Sequence, residues 1–271
     1  MLRPWLGRQL AGISKRDIIA LIDRIAERAP VHANRVLARL NAMFNWAVDK
    51  DRIPVAPSAG IKPPSKEKAR DRWLNDQEIA WFWHACEQLG YPLGSLFRML
   101  LLSAQRVSET ASMEWAEIDL EAKLWVIPRG KAKSDRTHEV QLSEPVIALL
   151  RSSPRLGHYV FAGKSGRSVI VSTFDKRRLD AAMLNVSGQA EIAKFIVHDL
   201  RRTAASGMAR LGIAPHVVDR ILNHSSGTIR GVAAVYNRFE YLNERRAALE
   251  AWGRYVDSLL VPHSNVVELR A

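Results

Sequence analysis

The sequence predicts a mainly α-helical protein with one small antiparallel β-sheet, in two parts joined by a proline-rich linker. Three observations carry this. Apolar residues recur at the i, i+3, i+4, i+7 spacing of a helix face through most of the chain. Only two short stretches, 115–128 (WAEIDLEAKLWVIP) and 137–142 (THEVQL), have strand-like runs of β-branched and aromatic residues, and a basic loop, RGKAKSDR, separates them. Residues 51–72, DRIPVAPSAGIKPPSKEKARDR, interrupt all periodicity with Pro54, Pro57, Pro63 and Pro64 and a run of Lys and Arg.

The elements follow in order. Ser14 precedes a helix to about Arg28, with Ile18, Leu21, Ile22 and Ile25 on one stripe. A second helix spans roughly Val31 to Lys50, burying Val36, Leu40, Phe44 and Ala47 or Val48, with Arg35, Arg39 and Asn45 on its other face. Past the linker, Asn75 and Glu78 form a capping box for a helix carrying Ile79, Phe82, Trp83, Cys86 and Leu89, and Gly90 stops it. A strongly apolar helix runs from Pro92 to Ser103, and a short one from Arg106 to Met113. The short strands of those two stretches follow, then helices from Pro145 through Leu150 and from Ser172 to Leu184. The segment Leu200 to Leu211 is helical and ends at Gly212, and Pro215 opens a helix to about Asn223. The stretch NERRAALEAWGRYVDSLL is an amphipathic helix with Leu249, Trp252, Val256 and Leu259/Leu260 on its apolar side. No internal repeat is present.

Bulk properties narrow the function classes. A formal charge of +12 and a pI near 10.2 favour a polyanionic partner, nucleic acid before an acidic membrane surface. The single cysteine, Cys86, excludes an intramolecular disulfide and a cysteine-rich zinc site, and its place on an apolar helix face predicts a buried thiol. No run approaches the roughly 18 apolar residues of a membrane span, and the first residues lack a signal-peptide core. The expected location is therefore cytoplasmic, associated with the nucleoid.

Residues 196–241, IVHDLRRTAASGMARLGIAPHVVDRILNHSSGTIRGVAAVYNRFEY, concentrate the groups that can act on a phosphate. His198 and Arg201 are three apart and share a helix face. His224 falls at or just past a helix end, and Tyr236 follows a glycine-containing turn. An arginine, two histidines and a tyrosine so ordered point to attack on a phosphodiester by the phenol. Arg106 and Glu109, in SAQRVSET, can be read as a surface i,i+3 ion pair or as part of the same site. A zinc site built from His198, His224 and Glu109 lacks the close ligand spacing such sites use, so no metal is expected. No Walker-type phosphate loop occurs, and no ATP or other cofactor is implied.

These strings resemble the signature of the tyrosine recombinases, the phage-type integrases, in which Arg-x-x-Glu is followed by H-x-x-R, L-x-H and Y. HDLRRT (198–203) and YNR (236–238) are close to the family pattern, and the similarity runs from about Ala33 to about Tyr255. Where the family has Thr-Gly before x-Arg, this chain has Ser103 and Ala104. The resemblance implies a DNA breaking–rejoining catalytic fold over residues 63–271, preceded by part of a helical core-binding domain over 1–62. Family members carry further helices upstream, so the chain reads as truncated.

The resemblance also implies roles. Arg106 and Arg201 would stabilise charge on the phosphate, His198 would accept a proton, and His224 would hydrogen-bond the phosphate. Tyr236 would be the nucleophile, with Tyr241 the competing phenol, and Glu109 would orient its neighbours. Lys133, nine residues before Leu142, matches the strand-hairpin lysine that protonates the leaving 5′-oxygen, with Lys131 two residues away as the alternative. Arg35, Arg39, Lys131, Arg136 and Arg202 are candidate DNA contacts, Arg202 alternatively a structural pair. The partner would be double-stranded DNA, bound by a homotetramer assembled from monomers. The C-terminal helix would either pack onto a neighbouring protomer or fold back in cis. Two rivals to a site-specific recombinase are a truncated remnant that only binds DNA and a type IB topoisomerase.

Overall fold

Ser14 Oγ accepts the Asp17 N–H (3.2 Å) and the Asp17 carboxylate accepts the Ser14 N–H (2.9 Å), a reciprocal cap that starts helix α1, Lys15–Ala26. The computed structural model describes residues 5–67, 71–133, 135–163, 165–224 and 240–261. It divides into two units, Met1–Asp71 and Arg72–Ala271.

In the first unit, α1 packs on α2, Pro30–Asp49, which begins with Pro at its first position, where the missing N–H costs nothing. Their shared core holds Ile18, Leu21, Ile22, Ala33, Leu37, Leu40, Phe44 and Ala47. Leu37 rather than Val36 is the fully buried residue of that turn, and Val36 and Val48 flank the stripe. The proline-rich stretch contains no helix or strand among its described residues, as its sequence predicts. It is more than a tether, because Ile53 and Ala56 are buried with this core and Ser65 pairs with the Asn34 side chain through both N–H (3.2 Å) and C=O (2.8 Å).

The second unit is built around one apolar helix. Asn75 and Glu78 cap α3, Asp76–Leu89, by the expected reciprocal bonds (2.9 Å each), and Gly90 ends it at φ 64°. Then α4, Leu93–Ser103, buries every residue except Arg98 and forms the centre of the unit. Gly94 permits this, since a Cβ there would sit 1.9 Å from the Cys86 carbonyl oxygen. Cys86 is buried and free, as its helical position predicts. The short α5, Val107–Ala111, leads to the sheet. Its strands β1 (Ile118–Asp119), β2 (Leu124–Ile127) and β3 (His138–Gln141) are antiparallel in the order β1-β2-β3, with Trp125 opposite Val140 and Ile127 opposite His138. Helices α6 (Glu144–Ser152) and α8 (Val197–Arg210) pack against α4, while α7 (Thr173–Ser187) lies on α3 and α9 (Pro215–Ile221) on α8.

Helix α10, Leu242–Ser258, lies on α4, α6, α8 and α9 of its own chain. Trp252 is fully buried and its indole N–H donates to the Leu101 carbonyl at 2.9 Å. Gly207 of α8 makes room for it, because a Cβ there would fall 2.1 Å from the Trp252 ring. Of the two packings expected for this helix, the single chain shows the one in cis. Its apolar face, Leu249, Trp252 and Val256, is spent in cis.

Candidate active site

Helix α8 begins three residues earlier than helix propensity indicated. The Asp199 carboxylate accepts the Ile196 N–H at 2.9 Å, which places the helix start at Val197 and both His198 and Arg201 on one helix. The rest of the HDLRRT string is structural in its contacts. Asp199 is fully buried and accepts from Arg202 Nη1 at 2.5 Å, an i,i+3 ion pair within α8. Thr203 Oγ1 donates to the Asp199 carbonyl (2.8 Å) and accepts the Leu74 N–H (2.9 Å), tying the start of the unit to α8.

Arg201 is buried. Its Nη1 donates to the Ala104 carbonyl at 2.6 Å and its Nη2 to the Leu222 carbonyl. Burial and the nearby Arg106 charge, opposed by Glu109, draw its pKa down to about 10, which still leaves it cationic at neutral pH. Arg106 is half-buried, with Nη1 on Glu109 Oε1 (3.0 Å) and Nη2 on the Asn223 carbonyl (3.2 Å). Both arginines are therefore held by the same helix end, the last turn of α9, whose carbonyls have no partner within the helix and present a negative dipole end. Two of the five donors of each guanidinium go to these groups, and the fork geometry of the others suits phosphate oxygens.

The same turn positions His224. The His224 N–H reaches the Asp219 carbonyl (3.2 Å) and the Asn223 N–H reaches the Arg220 carbonyl (3.1 Å), with Asn223 left-handed at φ 47°. This is a Schellman ending with Asn in the place where glycine is commonest. His224 Nδ1 lies 3.3 Å from Asp219 Oδ1. Partial burial, Arg201 and Arg106 lower its pKa against the opposing pull of Asp219. His198 is lowered too, by partial burial, then Arg202 and Arg201, with Asp199 opposing. Two histidines kept neutral beside two fixed cations can accept protons or donate hydrogen bonds to an anion.

Glu109 links the arginine to the hairpin loop. It is buried, and its Oε1 also accepts the Lys133 backbone N–H at 3.1 Å. The surface ion-pair reading of Arg106 and Glu109 therefore does not hold. The Lys133 side chain is exposed. Lys131 is not comparable. Its Nζ donates to Glu114 (2.7 Å), to Glu117 and to the Ser112 carbonyl (3.0 Å). Burial disfavours its charge, but the two carboxylates outweigh that and raise its pKa. Lys131, a candidate DNA contact, is thus ion-paired to two carboxylates of its own chain.

Arg35, Arg39 and Arg136 are exposed, as a DNA contact requires. Tyr236 lies outside the described residues. Tyr241, the competing phenol, is half-buried at the start of α10 with its ring 4.7 Å from that of His216. Among the described residues no cluster of three or more His, Cys, Asp or Glu could hold a metal ion, and no helix is long and apolar enough to cross a membrane.

Sequence reasoning missed three residues here. Ala104 presents the carbonyl that Arg201 binds, and its φ of 57° puts an alanine in the region glycine favours. Gln105 and His138 are both buried and both bond the Ile221 carbonyl, at 3.0 and 3.2 Å. The alternation of THEVQL, which turns His138 inward with Val140, was the available signal for the histidine.

Residues 72–240 match the Phage integrase family. The chain is 29% identical to the prophage integrase IntZ of Escherichia coli (strain K12), over 98% of this chain and 65% of that protein. It is 25% identical to the tyrosine recombinase XerC of Neisseria meningitidis serogroup C, over 90% of this chain and 80% of the relative. The chain spans just under two thirds of the length of the prophage integrases it matches. In fold it is similar to a lambda integrase dimer bound to a COC' core site, with a TM-score of 0.65 and 18% identity over 82% of this chain and 83% of that one. The Tn1549 transposon integrase gives a TM-score of 0.63 at 16% identity, over 89% and 86%. The match over most of the second unit is decisive: the chain belongs to the phage integrase family.

Proposed function

We propose that this chain cleaves and rejoins duplex DNA at specific sites through a 3′-phosphotyrosyl intermediate, as a tyrosine recombinase. The observation that carries the reading is the placement of two guanidiniums, Arg106 and Arg201, on adjacent carbonyls of one helix end, with His198 and His224 inside their field. In-line attack by a phenol passes through a five-coordinate phosphorus with added charge on its nonbridging oxygens. Fixed arginines meet that charge without reorganising, an effect typically several kcal/mol in size.

The steps follow from the residues. Tyr236 attacks phosphorus, its proton going to His198, whose lowered pKa leaves it free to accept. Unassisted, only about one phenol in a thousand is ionised at neutral pH. Lys133 gives a proton to the departing 5′-oxygen, with its backbone fixed by Glu109. His224 donates to a nonbridging oxygen. The phosphotyrosyl bond conserves the energy of the broken ester, so attack by a second 5′-hydroxyl needs no further cofactor.

On this reading residues 1–62 are a helical DNA-binding part, with Arg35 and Arg39 toward the backbone, and 63–271 are the catalytic domain. One lambda integrase structure is a tetramer bound to a Holliday junction. By that analogy four copies of this chain would exchange strands on two duplexes. The protein would act at the nucleoid, in the cytoplasm. The test is a two-site recombination assay run beside relaxation of supercoiled plasmid. Recombinant product supports the reading. Relaxation without recombination would make the chain a topoisomerase, and binding with neither activity would make it a DNA-binding remnant.

A further inference from the structure

We propose that His138 is a positioning residue of the phosphate site. Through a hydrogen bond to the Ile221 carbonyl, shared with Gln105, it holds the last turn of α9 in register with the hairpin that carries Lys133. The inference rests on the functional reading above for its kinetic consequence only.

The carbonyls of Ile221, Leu222 and Asn223 are consecutive and have no partner inside α9. Among the described residues they receive four donors from three separate elements. Gln105 and Arg106 come from the junction before α5, Arg201 from α8 and His138 from β3. Ile221 O has two lone pairs, and Gln105 Nε2 (3.0 Å) and His138 Nε2 (3.2 Å) occupy them. Because a carbonyl can only accept, Nε2 carries the ring proton. Burial, then the charges of Arg245, Arg201 and Arg106, push the His138 pKa down to about 3, so the ring stays neutral in this cationic setting. On the neighbouring residue of β3, the Glu139 carbonyl accepts from Arg245 of α10, which ties the strand to that helix as well.

The turn needs such support. Helix α9 has seven residues and ends on a left-handed non-glycine residue. The next two carbonyls after Ile221 are the ones that hold Arg201 and Arg106. A shift of this turn moves both guanidiniums together relative to Lys133, and a misplacement of about 1 Å can cost on the order of a hundredfold in rate.

The test uses the 271-residue chain with His138→Leu, His138→Gln and Gln105→Met. Three quantities are read: the first-order rate of covalent adduct formation on a nicked duplex at saturating protein, the duplex Kd, and amide hydrogen exchange at Asn223 and His224. His138→Leu is expected to slow adduct formation about ten- to a hundredfold with Kd nearly unchanged. It should also speed exchange at those two amides while α4 amides keep their protection. Glutamine can place a donor near Nε2, so His138→Gln should recover most of the rate. Gln105→Met, which removes the other donor, should move both readouts in the direction of His138→Leu. Unchanged exchange in His138→Leu, or a glutamine variant as slow as the leucine one, overturns the proposal. Should His138→Leu not fold, the other two decide, and wild-type exchange and rate in Gln105→Met overturn it. If the wild type forms no adduct, the recombinase reading fails, while the exchange data still judge the role of His138.

Discussion

Arg201 donates a 2.6 Å hydrogen bond to the carbonyl of Ala104, a buried alanine held at φ 57°. The left-handed turn aims that carbonyl at the guanidinium, so the backbone of a residue with no functional group of its own orients a cation of the site.

Substitutions at Ala104 should therefore separate by backbone tolerance. Ala104→Gly gains about 1–2 kcal/mol by relieving left-handed strain and loses about 1 kcal/mol each for the buried methyl and the added unfolded-state freedom, so a net change of about 1 kcal/mol or less is expected. Ala104→Val adds a β-branched side chain at positive φ in a filled core, and a loss of about 2–4 kcal/mol is expected. Urea unfolding of both variants checks this. Equal stability of the valine and glycine variants would refute the strained-turn account.

The two hairpin lysines should part company in a double assay. Lys131→Ala leaves Glu114 and Glu117 without their partly buried partner and should cost roughly 1–3 kcal/mol, reduced by the solvent that reaches the cluster. Lys133→Ala should leave the melting temperature near wild type. It should cleave ordinary DNA poorly yet cleave well where sulfur replaces the bridging 5′-oxygen, since a thiolate leaves without protonation. Equal impairment of Lys133→Ala on both substrates would remove the acid role.

Acid should destabilise this protein partly through His138. Its folded pKa is near 3 and the ordinary histidine value near 6.5, so between those values the unfolded chain binds the extra proton. This stability is fully present above pH 6.5 and is lost as pH falls toward 3. His224 and His198, also lowered, add in the same direction. Urea midpoints at pH 7, 5.5 and 4 should fall progressively for the wild type and less steeply for His138→Gln. Parallel pH profiles would contradict the buried, neutral histidine.

Much of this was legible in the sequence because it is written in local chemistry. Asn75 with Glu78 gave the start of α3, Gly90 its end, and the apolar run before Ser103 the central helix. The mainly helical class with a small sheet followed from the same periodicities. What stayed hidden depends on long-range pairing. Nothing near Lys131 in the chain announces that Glu114 and Glu117 close around it from 17 and 14 residues away. Helix propensity starts α8 at Leu200, but the Asp199 cap on Ile196 N–H starts it earlier. The cis packing of α10 turns on Gly207, whose missing side chain admits Trp252, a fit that amphipathicity alone cannot reveal.

The central claim is that the phenol of Tyr236 becomes covalently joined to DNA, and one measurement addresses it directly. The chain is incubated with a nicked duplex carrying candidate sites, and the adduct is isolated on a denaturing gel. After digestion, the modified peptide is sequenced by mass spectrometry. The account predicts a 3′-phosphotyrosyl peptide containing Tyr236, its complete loss in Tyr236→Phe with duplex binding retained, and its persistence in Tyr241→Phe. Recovery of the modification on Tyr241, or of any adduct from Tyr236→Phe, would contradict it.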